Sequence, residues 1–176
     1  METRKAIRQL RQLQQKSQFT PDEEFTYTET LNYLIESTHD TSYMVELGGY
    51  YYGRKEYDLA LKYYEMAYAN GNAWVAEGLG YIWYYGRTGE RDYEKAFHYY
   101  SEAAANGVLR SEIKVADMYK NGYYVEPDYD KYCEIIENAK EKVANAVSLN
   151  EPLPEIYRAE ERRVGKECRS RWSPYH

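Results

Sequence analysis

The chain has 176 residues, of which 43% are hydrophobic and 30% are charged, a composition typical of a folded domain rather than a disordered one. Its net charge of −6 argues against a broad nucleic-acid-binding surface, and no apolar run approaches the roughly 18 residues of a membrane span. The basic N-terminal stretch lacks the apolar region of a secretory signal and there are only two cysteines, so we expect a cytoplasmic protein without a disulfide framework.

An N-terminal helical segment is predicted for residues 1–42, beginning with a basic helix within residues 1–18. Ile7, Leu10 and Leu13 lie near helical spacing among five Lys and Arg side chains, which predicts a weakly amphipathic helix. Such a helix is able to lie on an acidic partner or on a membrane surface. We favour the alternative that it is a solvated N-terminal cap on an acidic chain.

A second helix is predicted to begin at the segment Thr20-Pro21-Asp22-Glu23. This segment is a capping box with proline at the first helical position, in which Thr20 and Glu23 satisfy each other's backbone N–H groups. The helix should run to about Glu36. The polar cluster at residues 37–42 then predicts a loop and the N-cap of the next helix.

An internal repeat of 36 residues dominates the centre of the chain. Tyr57, Tyr93 and Tyr129 each open a similar string, YDLALKYYEMAYANG, YEKAFHYYSEAAANG and the looser YDKYCEIIENAKEKV, and Gly86 recurs as Gly122. A fixed period of this length predicts stacked two-helix repeats that bury their apolar faces on one another.

The repeats should occupy residues 43–142. The three helix pairs are expected at about residues 43–71, 72–107 and 108–142. In the middle repeat the first helix is predicted at Trp74–Tyr85 and the second at Tyr93–Asn106. The first repeat is about four residues shorter across the turn between its two helices.

Glycine and aspartate positions support this division. Gly80 lies within a predicted helix, where glycine costs about 1 kcal/mol against alanine, so we expect a neighbouring helix to approach closely there. Gly71 and Gly107 follow the second helices and suit left-handed C-caps. Asp92 and Asp128 precede second helices, where N-capping explains them without metal binding.

No candidate active site emerges from the ionisable residues. His39 and His98 are far apart and have no metal-ligand spacing, and His98 is predicted on the outer side of a helix. Cys133 takes a half-buried repeat position and is interpreted as a structural thiol. We therefore expect no catalytic residue, no bound metal and no cofactor.

A binding surface is predicted on the first helices of the repeats. If Leu79, Gly80 and Trp83 face inward, the opposite face of the middle repeat is rich in tyrosine and that of the third repeat carries mixed charge. Aromatic walls with polar tips suit a peptide, although the tyrosines would equally serve to cover neighbouring helices. The predicted groove residues are Trp74, Glu77, Tyr81, Tyr84 and Tyr85 in the middle repeat, and Arg110, Ile113, Asp117, Lys120 and Asn121 in the third.

The middle repeat resembles the Sel-1-like repeat, a relative of the tetratricopeptide repeat with a longer turn. The matching residues are Leu79, Gly80, Trp83, Gly86, Asp92, Lys95, Ala96, Tyr99, Tyr100, Ala103, Ala104 and Gly107. The resemblance covers about residues 43–142 and is partial in the third repeat, where Ile135 and Ile136 replace a tyrosine pair. It implies an all-α, right-handed α-solenoid whose first helices line a concave groove.

The resemblance also implies a function, since members of the family serve as adaptors that assemble protein complexes. We predict a non-enzymatic adaptor of bacterial type that binds a protein or peptide segment in its groove. The cysteine pattern of the secreted, disulfide-containing members is absent. One alternative is a hydrolase acting on cell-wall or small-molecule substrates, which needs a converging base and nucleophile. Another is a structural segment that associates with itself.

The C-terminal residues are predicted to depart from the native protein. The segment EPLPEIY within residues 143–160 resembles the sequence after the last repeat in some bacterial members, and we expect this segment to be truncated. Residues 161–176 resemble the translation of a sequencing-library adaptor. We therefore expect a different native sequence beyond about Glu160, and no function for Cys168, Trp172 or His176.

Overall fold

The computed structural model describes residues 2–148, with side chains for residues 2–145, and there it contains eight α-helices and no β-strand. The helices are α1 (Thr3–Gln14), α2 (Pro21–Thr38), α3 (Thr41–Gly53), α4 (Tyr57–Ala69), α5 (Ala76–Tyr85), α6 (Tyr93–Ala105), α7 (Leu109–Asn121) and α8 (Tyr129–Ser148). The predicted all-α class is thus confirmed. The predictions for residues 149–160 and for the tail at 161–176 fall outside the described residues.

The helices form two compact units, an N-terminal unit of residues 1–91 and a C-terminal unit of residues 92–176. In the N-terminal unit α1 packs on α2, α2 on α3, α3 on α4 and α4 on α5. In the C-terminal unit α7 packs on both α6 and α8. Helices that are consecutive in sequence therefore pack on each other within each unit, as a helical repeat requires.

Helix α1 buries one stripe and leaves its basic side chains in solvent. Ala6, Leu10 and Leu13 are buried, whereas Ile7 is only half-buried. The Nε2 group of Gln14 donates a hydrogen bond of 2.6 Å to Glu46 on α3. The apolar stripe is therefore used within the fold, as expected for an N-terminal cap.

The capping box at the start of α2 is confirmed. The backbone N–H of Glu23 donates to the Thr20 hydroxyl at 3.4 Å, and the backbone N–H of Thr20 donates to the Glu23 carboxylate at 3.0 Å. Hydrogen bonding to Lys16, followed by the bond from Thr20, lowers the pKa of Glu23. The helix ends at Thr38, two residues later than predicted, and His39 caps it in the left-handed conformation.

We expect Thr20→Ala to lower the free energy of unfolding by about 1 kcal/mol, because one N–H of the first turn loses its acceptor. Urea unfolding followed by circular dichroism measures this effect. Thr26→Ala is the matched control, since Thr26 lies inside the same helix and its hydroxyl only donates back to the carbonyl of Asp22. An equal loss in both variants would refute the capping role.

The turns between paired helices differ as predicted. Helices α3 and α4 are joined by three residues, whereas seven residues follow α5 and seven follow α7. In the longer turns Gly86 and Gly122 have positive φ. A Cβ atom added at Gly86 would lie 2.8 Å from Cγ of Arg91, and one added at Gly122 would lie 2.7 Å from Cγ of Pro127. Only glycine fits these two positions. In the short turn Lys55 takes the left-handed conformation instead.

The core of the C-terminal unit lies between α7 and α8. It consists of Ile113, Ala116, Tyr132, Cys133 and Ile136. Cys133 is buried there as predicted, and His98 on α6 is exposed as predicted. The sequence assignment of Ile113 to the binding face is wrong. Its side chain is 5% exposed because the face of α7 that contains it packs on α8.

Candidate functional site

The predicted groove residues are divided between the two units. Five belong to the N-terminal unit, where one precedes α5 and four lie on it, and five belong to α7 of the C-terminal unit. The N-terminal set is Trp74, Glu77, Tyr81, Tyr84 and Tyr85. The C-terminal set, apart from the buried Ile113, is Arg110, Asp117 and Lys120 with Asn121 at the end of α7. Each set has its own chemistry and is described within its own unit.

Trp74 is the most exposed large aromatic side chain of the described residues. It lies on a 3-10 helix, Ala73–Val75, whose start is capped by Asn72: the backbone N–H of Trp74 donates to the Asn72 side chain at 3.1 Å. The Trp74 side chain is 72% exposed, although tryptophan is usually well buried. Tyr85, the last residue of α5, is 36% exposed.

Two tyrosines of α5, Tyr81 and Tyr85, belong to an aromatic cluster around Arg87. We call Arg87 with Tyr57, Tyr81 and Tyr85 the Arg87 cluster. The guanidinium carbon lies 5.5 Å from the ring centroid of Tyr57 and 5.4 Å from those of Tyr81 and Tyr85. The Nη2 group of Arg87 donates a hydrogen bond to the Tyr81 hydroxyl at 3.3 Å. Cation–π attraction and this hydrogen bond therefore hold the turn after α5 against three rings.

The Arg87 cluster extends to α3 through Tyr52. The ring centroids of Tyr52 and Tyr81 are 5.9 Å apart, and those of Tyr81 and Tyr85 are 4.4 Å apart. Burial, followed by the neighbouring Tyr81, raises the pKa of Tyr52 to about 12. Tyr81 is consequently half-buried within the fold rather than held out toward a ligand.

A cavity of about 380 Å³ opens beside the Arg87 cluster. Its lining residues are Lys55, Glu56, Tyr57, Asp58, Leu59, Arg87 and Thr88. Within residues 2–148, the Nε atom of Arg87 is buried without a hydrogen-bond acceptor. Glu56 in the lining pairs with Arg54 at 3.0 Å. The cavity lining therefore contains the Arg87 cation together with the ring of Tyr57.

Tyr64 of α4 covers the middle of α5. A Cβ atom at Gly48 on α3 would lie 2.6 Å from the Tyr64 ring, and one at Gly78 on α5 would lie 3.1 Å from the opposite edge of the same ring. Tyr64 is thus held between two glycines of neighbouring helices. The sequence signal for this contact is the pair of mid-helix glycines, although the sequence analysis assigned the close approach to Gly80 alone.

The C-terminal set is charged rather than aromatic. Arg110 is exposed at the start of α7, whereas Asp117 and Lys120 are half-buried further along it. The Nζ atom of Lys120 lies 5.0 Å from the ring centroid of the buried Tyr132. Lys120 therefore packs its charge against the core and keeps part of its surface in solvent.

A second cavity, of about 540 Å³, lies on α6 outside the predicted face. Phe97, His98 and Tyr99 form its aromatic part together with Tyr124, which is 56% exposed and has a φ of 68°. The Tyr124 hydroxyl donates to Glu94 at 3.2 Å, and this carboxylate raises the pKa of Tyr124. The sequence did not indicate this cavity, because Tyr124 belongs to a turn.

The Arg87 cluster and the two cavities offer aromatic contact area and charged groups. In the part of the chain that the structure describes, no group of three His, Cys, Asp or Glu side chains is placed to hold a metal ion. None of the described helices combines the length and the apolar character of a membrane span. The ring of His98 meets that of Tyr99 edge-on, with centroids 5.9 Å apart, whereas Cys133 lies in the core. Both cavities are lined by aromatic rings and charged groups.

Comparison with protein families identifies the repeat. The model of the Sel1 repeat matches residues 41–72, 76–108 and 109–131, which together make up half of the chain. A search of curated proteins found no significant match.

Two solved structures are similar in fold. One is a Sel1 repeat protein from Oxalobacter formigenes, with a TM-score of 0.53 and 26% identity over 64% of this chain and 86% of that one. The other is a protective antigen present in uropathogenic Escherichia coli strains, which displays an SLR fold; it has a TM-score of 0.60 and 22% identity over 81% of this chain and 33% of that one. The second likeness concerns the fold alone.

Proposed function

The chain belongs to the Sel1 repeat family, and from that premise we propose that it is a non-enzymatic, cytoplasmic adaptor that binds a protein or peptide segment on the first helices of its repeats. Sel1 repeats generally act as protein-interaction scaffolds, which supports a protein-binding role. The observation that carries the proposal is the exposure of Trp74 beside the tyrosine-rich α5. Tryptophan and tyrosine are enriched among the residues that dominate binding energy at protein interfaces.

The exposed aromatic residues just before α5 and at its end suggest the spacing of the ligand. Trp74 and Tyr85 are eleven positions apart, which corresponds to about 17 Å at the rise of an α-helix. An extended peptide spans this length with about five residues at ~3.3 Å each. We therefore expect a ligand with two apolar or aromatic side chains about five residues apart.

Charged groups would orient that ligand. Arg87 lies behind Tyr85 and reaches the 380 Å³ cavity, where an acidic group of the peptide would find a cation. Glu77 is half-buried on α5 and is a candidate acceptor for peptide N–H groups. In the C-terminal unit Arg110, Asp117 and Lys120 remain proposed contacts of a protein partner. Tyr81 and Tyr84 are proposed to support the anchors.

We expect Trp74→Ala to weaken peptide binding at least tenfold, about 1.4 kcal/mol, while the melting temperature stays unchanged. A random peptide library displayed on phage supplies ligands selected by the unaltered protein, and fluorescence anisotropy measures their affinities. Phe25→Ala is the matched control, because Phe25 is 68% exposed on α2, outside the proposed surface.

Tyr85→Ala should weaken the same peptides, whereas Phe25→Ala should leave their affinity unchanged. Selected peptides that bind Trp74→Ala and the unaltered protein equally well would refute the proposed surface. A family of selected peptides without two apolar side chains at the expected spacing would refute the two-anchor arrangement while leaving protein binding itself in place.

A further inference from the structure

The first helix carries a basic stripe that the fold does not use. We call Arg4, Arg8 and Arg11 the basic stripe. They are spaced by four and three residues, so they follow one line along α1, and all three are exposed. Within residues 2–148 none of them has a hydrogen-bond or ion-pair partner. The opposite side of α1 is buried within the fold.

The last described helix carries an acidic stripe with the same spacing. We call Asp130, Glu134, Glu137 and Glu141 the acidic stripe. They are spaced by four, three and four residues along α8 and all are exposed. In the described part of the chain their one recorded ion pair is a loose contact of 3.9 Å between Glu134 and Lys131. The buried side of α8 faces the core of the C-terminal unit.

We propose that the acidic stripe on α8 of one molecule docks on the basic stripe on α1 of a second copy of this chain. The rise along a helix separates neighbouring charges in both stripes by about 6 Å and then by about 4.5 Å. Two such helices lying side by side bring three arginines opposite three carboxylates. The pattern of four, three and four residues reads the same in both directions, so parallel and antiparallel docking each give three pairs.

A second copy fits these stripes better than a lipid or nucleic-acid surface. Ala6, Leu10 and Leu13 of α1 are buried, so the helix has no free apolar face to insert into a bilayer. A polyanion would explain the basic stripe but would be repelled by the acidic one and by the net charge of −6. Another copy satisfies both stripes at once.

The contact has two consequences for assembly. The two surfaces differ, so each molecule keeps one unused stripe after pairing, and association is able to continue from copy to copy. The pairs are exposed to solvent, so each contributes little and is screened by salt, with a Debye length of about 10 Å at 0.1 M. Association should therefore be weak, concentration-dependent and strongest at low ionic strength. It does not depend on the proposed peptide site.

Sedimentation velocity of the full chain tests this inference. At about 20 mM salt the average sedimentation coefficient should rise with protein concentration, and at about 500 mM salt it should stay at the monomer value. A coefficient that is independent of concentration at low salt would overturn the inference. So would self-association that persists unchanged at high salt, because it would not be carried by exposed charges.

Charge reversal supplies the decisive comparison. A basic-stripe variant carries Arg4→Glu, Arg8→Glu and Arg11→Glu. An acidic-stripe variant carries Glu134→Arg, Glu137→Arg and Glu141→Arg. Each variant alone should remain monomeric. An equimolar mixture should associate again, because each variant then meets its complement. Their formal net charges are −12 and 0, so general attraction between the two does not explain recovery. A monomeric mixture would overturn the inference.

Two further measurements check the folding of the variants and the binding of lipid. Circular dichroism melts should show that both variants remain folded, and replacement of the same residues by glutamine serves if a reversal prevents folding. Vesicles of phosphatidylcholine and phosphatidylserine test whether the basic stripe binds a lipid surface. If the stripe binds these vesicles while the mixed variants stay monomeric, the stripe is a lipid surface and the inference fails.

Discussion

Replacing Gly48 by alanine is expected to destabilise the protein, although the same change at its neighbour Gly49 is expected to stabilise it. Both glycines lie inside α3, where alanine is favoured by about 1 kcal/mol. At Gly48 the new Cβ would lie 2.6 Å from the Tyr64 ring and 3.4 Å from the Ala60 carbonyl oxygen. At Gly49 the nearest atom is the Tyr64 hydroxyl at 3.7 Å, an ordinary contact.

The overpacking at Gly48 should cost about 1–3 kcal/mol, and since both variants share the gain in helix propensity, they should differ by this amount in free energy of unfolding. Urea unfolding at neutral pH measures both. Tyr64 is unable to yield easily, because Gly78 of α5 holds the other edge of its ring. The effect of Gly48→Ala should therefore shrink in a Tyr64→Leu background. Equal stability of the two alanine variants would show that the Tyr64 ring is not held between the helices.

The repeat architecture could be predicted from the sequence, because its signals are local or periodic. The 36-residue spacing located the second helices, which begin at Tyr57, Tyr93 and Tyr129. Capping chemistry located helix ends, because the side chains of Asp92 and Asp128 each accept from the N–H three residues later, at 2.9 and 2.8 Å. Each of these features needs only residues that are close in the chain.

The contacts between helices were harder to predict from the sequence, because they depend on which side chain faces which neighbouring helix. Periodicity places Gly48 and Gly78 inside helices but does not show that one ring of α4 separates them. The same limit explains Ile113, since a rotation of one residue position moves a side chain of α7 by 100° between groove and core. A small error in the predicted rotation of a helix thus changes which residues are predicted to be exposed.

The Arg87 cluster shows the same limit for the candidate site. The sequence treats Arg87 as part of a turn, whereas in the fold it meets tyrosines from α4 and α5 that are up to 30 positions away. The sequence predicted Trp74 and Tyr85 on a binding face, and both side chains are exposed. Their role in binding stays a prediction.

Alkaline solution is expected to unfold the protein over a narrow pH range. Burial raises the pKa of Tyr63 and Tyr64, and it raises that of Tyr27 together with a hydrogen bond of 2.6 Å to Glu46. The pKa of Tyr52 reaches about 12, against about 10 for tyrosine in an unfolded chain. Between these values the folded protein binds more protons than the unfolded chain. Stability is therefore complete below pH 10 and falls as the pH rises toward 12.

Each tyrosine that ionises only on unfolding adds a slope of at most about 1.4 kcal/mol per pH unit, and the half-buried rings add less because solvent stabilises their charged form. Urea midpoints between about pH 8 and pH 11 measure the slope, and tyrosinate absorbance reports ionisation. Tyr64→Phe is the sharpest variant: burial alone raises the pKa of Tyr64, so removing its hydroxyl should preserve stability at neutral pH and make the decline shallower. If the urea midpoint of the unaltered protein stayed constant to pH 11, these rings would be open to solvent and the packing around Tyr64 would be wrong.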